Sequence, residues 1–535
     1  MLVRYSNREL KSNTYNMNFK KLHLIIFILV IFSLIKIDYR FQEIPYGLEV
    51  DDAEYYYSAV TIGIDFDLDF SNQMSGIENR FLNKEIKKIV PFHPIGSGAL
   101  ASPFIIIGNF LQRMFEQTGL ISIVYFLYSL SPIFYLLISI ILIQNSLKSL
   151  KITFNNNLLL LSVLGTGISY YSFDRFSMSH IYEFFGTSFL IYLTTKSLKE
   201  QDSFKSRYLN FLLGFLMFFF LSIRWTNYLY FLIPLIIYLI SGRTMTKLYF
   251  KVSFLLGWFI GLALFLYHTK YLYGIYTLNQ APIVLSVENS FSTNFSRFFD
   301  LSLFMENMKF LFKGLGVIVF SQEFGVFFFA PIIFISFILV VYLFINKKYL
   351  LSLILIFLYL IPFMSVVVIQ NTAFSYGYRY LFVLIPINLI LYFKYLNEYR
   401  LIRLYLYIFS ILGFLLYLFF ETSQWTSLAD GYVVNSFGMN TRYANPEYLS
   451  GLPEAFLDLN AYLHILFTSF LGVLILKIIY IFLDPVLIFS KFTEITPEIS
   501  DLISNSIDFS WYKLIFLYLF VIYFFNKIFK FSLKD

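Results

Sequence analysis

Two adjacent aspartates and a glutamate stand beside three tyrosines in GLEVDDAEYYYSAV, residues 47–60. Carboxylates held at an apolar boundary suit general-base work near neutral pH. The neighbouring oxygens of Asp51 and Asp52 are also the ligand type that a hard divalent cation takes. The competing assignment is a solvated turn that caps a juxtamembrane helix, with Tyr55 and its neighbours as an interfacial aromatic belt.

Other chemically competent clusters follow along the chain. In DFDLDFSNQ, Asp65, Asp67 and Asp69 recur at every second position, which predicts that they share one side of an extended segment, as a metal site or as a solvated edge. His93 sits in FHPIGSG, where proline and two glycines shape the backbone tightly before an apolar piece; it is suited to a phosphate or to orienting a carboxylate. FDRFSMSH carries Asp174, Arg175 and His180, IRWTN carries Arg224, and SYGYRYL carries Arg379. A guanidinium is a planar, permanently charged donor that binds two oxygens at once, so arginines gathered on one face predict an anion site. Taken singly, each is better read as a helix-end residue snorkelling to headgroups. Glu323 in FSQEFGVFFFAP is a second isolated carboxylate.

These residues belong to a chain whose solvent is lipid. It has 535 residues, 58% hydrophobic and 14% charged, with a mean hydropathy of +0.70 and no cysteine. Apolar stretches near the required length of about 20 residues recur from 22–38 to 511–531. They predict an all-α polytopic membrane protein with about 11 to 14 transmembrane helices, because backbone groups in lipid must be satisfied within the segment. The first stretch, 22–37, follows a basic tail without a small-residue cleavage site and reads as a retained anchor. The pieces at 97–112 and 308–320 read as short or interfacial helices.

Lysine and arginine set the orientation. Arg4, Arg8, Lys11, Lys20 and Lys21 place the tail 1–21 in the cytoplasm. Alternation then puts Lys148, Lys196, Lys199, Lys205, Arg243, Lys347 and Arg400 inside as well, provided that 97–112 does not cross. Lys527, Lys530 and Lys534 break the alternation. Every mixed polar and aromatic cluster then falls on the outer face, beginning with a large first loop at 39–97. The formal charge of +7 is accounted for by inner loops, so no nucleic-acid partner is expected. The sequence has no phosphate-binding Gly-Lys-Ser/Thr loop, HExxH or Gly-x-Ser-x-Gly motif, which disfavours a nucleotide-driven pump.

The order of these motifs resembles the GT-C superfamily of membrane glycosyltransferases, in particular family 39, the protein mannosyltransferase and aminoarabinose transferase relatives. VDDAEYYYSAV and DFDLDFSNQ stand where that family has its acidic pair and aspartate-leucine-aspartate stretch; FHPIGSGALASPF, QEFGVFFFAP and YGYRYL follow in the same order. Asp52 replaces the common glutamate, and Ala53 and Glu54 replace a common Pro-His. The resemblance covers most of 20–395. It implies a GT-C-like catalytic domain over 22–420, with 421–535 an outer loop and C-terminal helices, in the inner or plasma membrane with an extracytoplasmic active site. The implied donor is a polyprenyl-phosphate sugar, and the acceptor a hydroxyl on a glycan, lipid or protein. Asp51 is then the expected base, with Asp52 supporting it or binding a divalent cation, and Arg379, Arg224 and His93 the expected phosphate ligands; Tyr55, His180 and Glu323 complete the substrate contacts. A lipid-linked glycan polymerase, ligase or flippase is the nearest rival, and a transporter the next.

Overall fold

The computed structural model describes residues 34, 51–73, 82–83, 86–91, 93–114, 123–200, 204–224, 227–242, 251–278, 318–320, 325–368 and 379–418, with isolated positions between 457 and 479. The chain divides into two compact units, and one of them, 41–418 with 428–452, holds every element that follows. Expected spans at 22–38, 461–483 and 511–531, like the loop 421–460, lie outside the described residues apart from those isolated positions.

The regular elements among the described residues are helices except for one antiparallel ladder of two residues per strand, β1 (Leu82–Asn83) and β2 (Lys88–Ile89). Four helices are long and apolar enough to cross a membrane: α3 (Ile123–Ser149), α7 (Phe204–Leu221), α9 (Val252–Tyr273) and α14 (Arg400–Leu418). The outer face of α9 exposes Val252, Phe259 and Leu264, which is tolerable only where the solvent is itself apolar. This is a membrane protein.

The remaining elements are α1 (Asp51–Val60), α2 (Gly96–Met114), α4 (Asn156–Leu164), α5 (Ile168–Phe173), α6 (His180–Lys199), α8 (Ile233–Ile240), α10 (Val326–Phe329), α11 (Pro331–Ile345), α12 (Tyr349–Val368) and α13 (Ile385–Tyr395). The piece expected at 97–112 is the continuous helix α2. The single span expected at 156–173 is instead broken into α4 and α5. Gly165 closes α4, and a Cβ there would lie 2.2 Å from the Ser410 carbonyl oxygen, so α14 occupies the space a straight helix would need.

One local device occurs twice. NYLYFLIP (227–234) and RYLFVLIP (379–386) each form six residues of 3-10 helix and then start an α-helix with proline in its first turn. Proline has no N–H to lose at that position, so it fixes where α8 and α13 begin. Arg224 and Arg379 arrive at the entrances to these two turns.

Helices α7 and α9 pack backbone to backbone. Gly257 and Gly261 form a small-xxx-small pair on α9, and a Cβ at Gly257 would sit 2.0 Å from the Phe211 carbonyl oxygen. Close backbone approach of this kind carries helix association in lipid. Gly257→Leu is therefore expected to destabilise the protein by about 3 kcal/mol, read as a lower melting temperature in detergent; an unchanged melt would contradict this packing.

The acidic stretch after α1 is not extended. Thr61–Asp65 makes one π-helical turn, and Phe66 follows at φ 59°. Asp67 Oδ1 then accepts from the Asp69 N–H at 3.0 Å, Asp69 Oδ1 accepts from the Ser71 N–H at 3.1 Å, and the side-chain amides of Asn72 and Gln73 donate to Asp65. Aspartate side chains compete for local backbone donors, so alternation here produces consecutive turns, and the amide N–H of Ser71 holds Asp69 below the usual carboxylate range.

Candidate functional site

Five separated segments meet at one end of the helices. The glycines of HPIGSG explain how. Gly96 N–H donates to the Ser222 carbonyl at 2.8 Å, and a Cβ at Gly96 would lie 2.6 Å from the Ile223 nitrogen. Two residues later, a Cβ at Gly98 would lie 2.7 Å from Ser58 Cβ. The start of α2 thus touches both the turn that delivers Arg224 and the helix that carries the acidic cluster.

On α1, Asp52 is half-buried, and its Oδ2 accepts from Arg175 Nη2 at 2.7 Å and Nε at 2.9 Å. Glu54 is buried and binds the loop before α2: Oε1 accepts the His93 backbone N–H at 2.5 Å, and Oε2 lies 2.9 Å from His93 Nδ1. Tyr55 is buried against the His93 ring at 4.9 Å. Tyr56 packs edge-on to Tyr125 and Tyr128, at 5.2 and 5.0 Å, and burial pushes its hydroxyl up to about 12. These two tyrosines are packing residues, not an interfacial belt. Asp51 opens α1, and its side chain lies outside the described residues, as does all of Glu323.

The second half of the site centres on Glu183, in the first turn of α6 and buried. Its carboxylate accepts from His180 Nδ1 at 2.8 Å, Arg224 Nη1 at 3.2 Å and Asn227 Nδ2 at 2.9 Å. Arg224 Nη1 is also 3.1 Å from His180 Nδ1. A guanidinium only donates, and Nδ1–H already donates to Glu183, so this last approach is a contact around a shared acceptor. Burial disfavours the charge of Arg224, but the Glu183 carboxylate together with the Tyr380 and Tyr55 hydroxyls outweighs it and holds Arg224 above its ordinary value.

Arg224 Cζ stacks 4.2 Å from the Tyr380 ring, and Arg379 Cζ lies 5.3 Å from the same ring. Arg379 is buried, with Nη2 3.4 Å from the Tyr380 hydroxyl and Nη1 3.8 Å from Met178 Sδ. Tyr55 and Arg379 both lie within electrostatic reach of Arg224, so the two halves adjoin. Comparison with protein-family models, curated proteins and solved structures finds no match.

Of the expected residues, the structure gathers Asp52, Tyr55, His93, His180, Arg224 and Arg379. It pairs Arg175 with Asp52 and adds Glu183, Asn227 and Tyr380. Glu183 had a readable signal: His180 and Glu183 are three apart in an apolar helix, and an ionisable pair there is costly unless used. Asn227 and Tyr380 had none. Among the described residues no three of His, Asp and Glu gather as a metal-binding group, and the Asp52 carboxylate is taken by Arg175.

The opposite helix ends are basic. Helix α6 begins in the site and ends with Lys196 and Lys199; α7 begins with Lys205 and Arg207 and ends next to Arg224. Helix α3 runs from Tyr125 to Lys148, and the stretch from Arg379 ends with Lys394 on α13.

Proposed function

We propose that this protein transfers a sugar from a polyprenyl-phosphate donor to an acceptor hydroxyl on the extracytoplasmic face of the cell membrane. The observation that carries the reading is the pair of guanidiniums, half-buried Arg224 and buried Arg379, both against the Tyr380 ring in a chain otherwise solvated by lipid. Two fixed cations at the end of apolar helices suit a phosphate whose prenyl chain stays in the membrane. The lysine-bearing ends of α3, α6 and α7 point away from the cluster, which supports an extracytoplasmic site.

In this reading the acceptor oxygen attacks the anomeric carbon with inversion. The bond to the phosphate oxygen breaks, and its electron pair leaves with the phosphate toward Arg224 and Arg379. The hydroxyl proton passes to Asp51, at the start of α1, while Arg175 holds Asp52 beside it.

The test is transfer of radiolabelled sugar from a panel of polyprenyl-phosphate sugars by membranes holding wild type or Asp51→Asn. The expected result is transfer by wild type and a loss of about 10²- to 10⁴-fold in the variant at equal abundance. Equal transfer by both removes Asp51 as the base. Absence of transfer by wild type across the panel overturns the transferase reading and favours a flippase or transporter.

A further inference from the structure

Glu54 makes two hydrogen bonds across 39 positions of chain, one to the backbone of His93 and one to its ring. A buried carboxylate used this way does more than close a loop. It fixes the ring plane, and it fixes the tautomer, because Nδ1 must carry a hydrogen to face Oε2. The proton that distinguishes imidazolium from imidazole then belongs to Nε2. The His93 side chain is 29% exposed while that of Glu54 is 5% exposed. The ring is thus held through Nδ1 while part of its side chain stays exposed. It lies against Tyr55, which is in electrostatic reach of Arg224.

Resting on the transferase reading, we infer that His93 is the proton donor to the departing phosphate and that Glu54 is its positioning residue. Departure of the prenyl phosphate turns a phosphodiester monoanion into a monoester dianion. The arginines stabilise that charge but do not release a proton near neutral pH. The His93 imidazolium transfers its Nε2 proton to the phosphate oxygen as the anomeric C–O bond breaks and the electron pair moves to that oxygen. The products are prenyl hydrogen phosphate and neutral His93; the acceptor's proton is on Asp51, and solvent exchange restores both groups. Among the described residues, Glu54 and Tyr55 contact the ring; Tyr273, whose hydroxyl is 3.3 Å from the Pro91 carbonyl, is in electrostatic reach of Glu54, and Arg224 of Tyr55.

The experiment uses the full-length protein in detergent or nanodiscs, with the polyprenyl-phosphate sugar that wild type accepts. His93→Asn is expected to lower kcat about 10²-fold with KM for the donor little changed, and to abolish the alkaline limb of the kcat–pH profile. Glu54→Gln is expected to lower kcat about 10-fold or more, with Glu54→Asp recovering part of the loss. Independently of activity, 15N spectra of histidine-labelled protein should show His93, assigned through His93→Asn, protonated at Nδ1 in wild type but not in Glu54→Gln. A rise in KM with kcat and the pH profile unchanged would make His93 a binding residue only and overturn the inference. Variants that lose abundance and melt early but keep the wild-type pH profile would overturn it too, as would an Nε2–H tautomer in wild type. Wild type that transfers no sugar overturns the transferase reading itself, whereas an active wild type with indifferent variants overturns only the role of this pair.

Discussion

Glu183→Ala is expected to cost about 3 kcal/mol of stability, because it strands the half-buried guanidinium of Arg224 without its carboxylate. Arg224, Asn227 and His180 all donate to this one carboxylate, whose side chain is 3% exposed. Its removal leaves three donors to satisfy in a place water scarcely reaches. Glu183→Gln keeps an oxygen acceptor and the volume but loses the charge, so its loss is expected to fall between alanine and wild type. Arg224 is held over Tyr380 partly by this anchor, so on the transferase reading the KM for a prenyl-phosphate donor should rise before kcat falls in both. Thermal unfolding in detergent, with donor titration on whatever protein survives, checks both halves. Near-wild-type stability in Glu183→Ala would show that the cluster reorganises around the gap, and that the network does not organise the site.

On the transferase reading, Gly96→Val is expected to lower kcat/KM for the donor by about 10²-fold or more, although Gly96 bears no functional group. Its missing Cβ would meet the Ser222 hydroxyl at 2.5 Å and the Ile223 nitrogen at 2.6 Å. The Ile223 nitrogen and the Ser222 carbonyl carbon, also 2.6 Å away, are backbone, so relief requires moving the turn that carries Arg224, and a displacement of about 1 Å in a group that positions the substrate can cost that much in kcat/KM. The stability cost is expected to be smaller in consequence, about 1 to 3 kcal/mol. Gly98→Val presses on α1 at Ser58 and Ala59. It should act chiefly on kcat, through Asp51 and Asp52, whereas Gly96→Val should act chiefly on the donor KM, through Arg224. Full activity of either variant at normal abundance would refute the role assigned to the start of α2.

The sequence alone determined the solvent. A chain 58% hydrophobic with lysines spaced between apolar runs leaves lipid as its medium, because periodic apolarity and interspersed charge report directly on burial and sidedness. Helices at 349–368 and 400–418 could be read from length and composition for the same reason. Asp52, His93, His180, Arg224 and Arg379 were legible because polar residues are costly among apolar neighbours. Other features depended on contacts between distant positions. The break between α4 and α5 follows from the approach of α14 to Gly165, 245 positions from Ser410 along the chain by number. The turns at Asp65–Gln73 arose because local donors captured the carboxylates before any strand partner could.

Pairing was also decided only by the tertiary structure. Asp52 reads as half of an acidic pair, yet its carboxylate is committed to Arg175; Glu54 reads as a departure from a motif, yet it holds His93. A residue type states what hydrogen bonds a group is able to make. Which of them it makes depends on backbone approach, and here that is set by Gly96 and Gly98, where the absence of two side chains lets α1 and the Arg224 turn close on the same helix end.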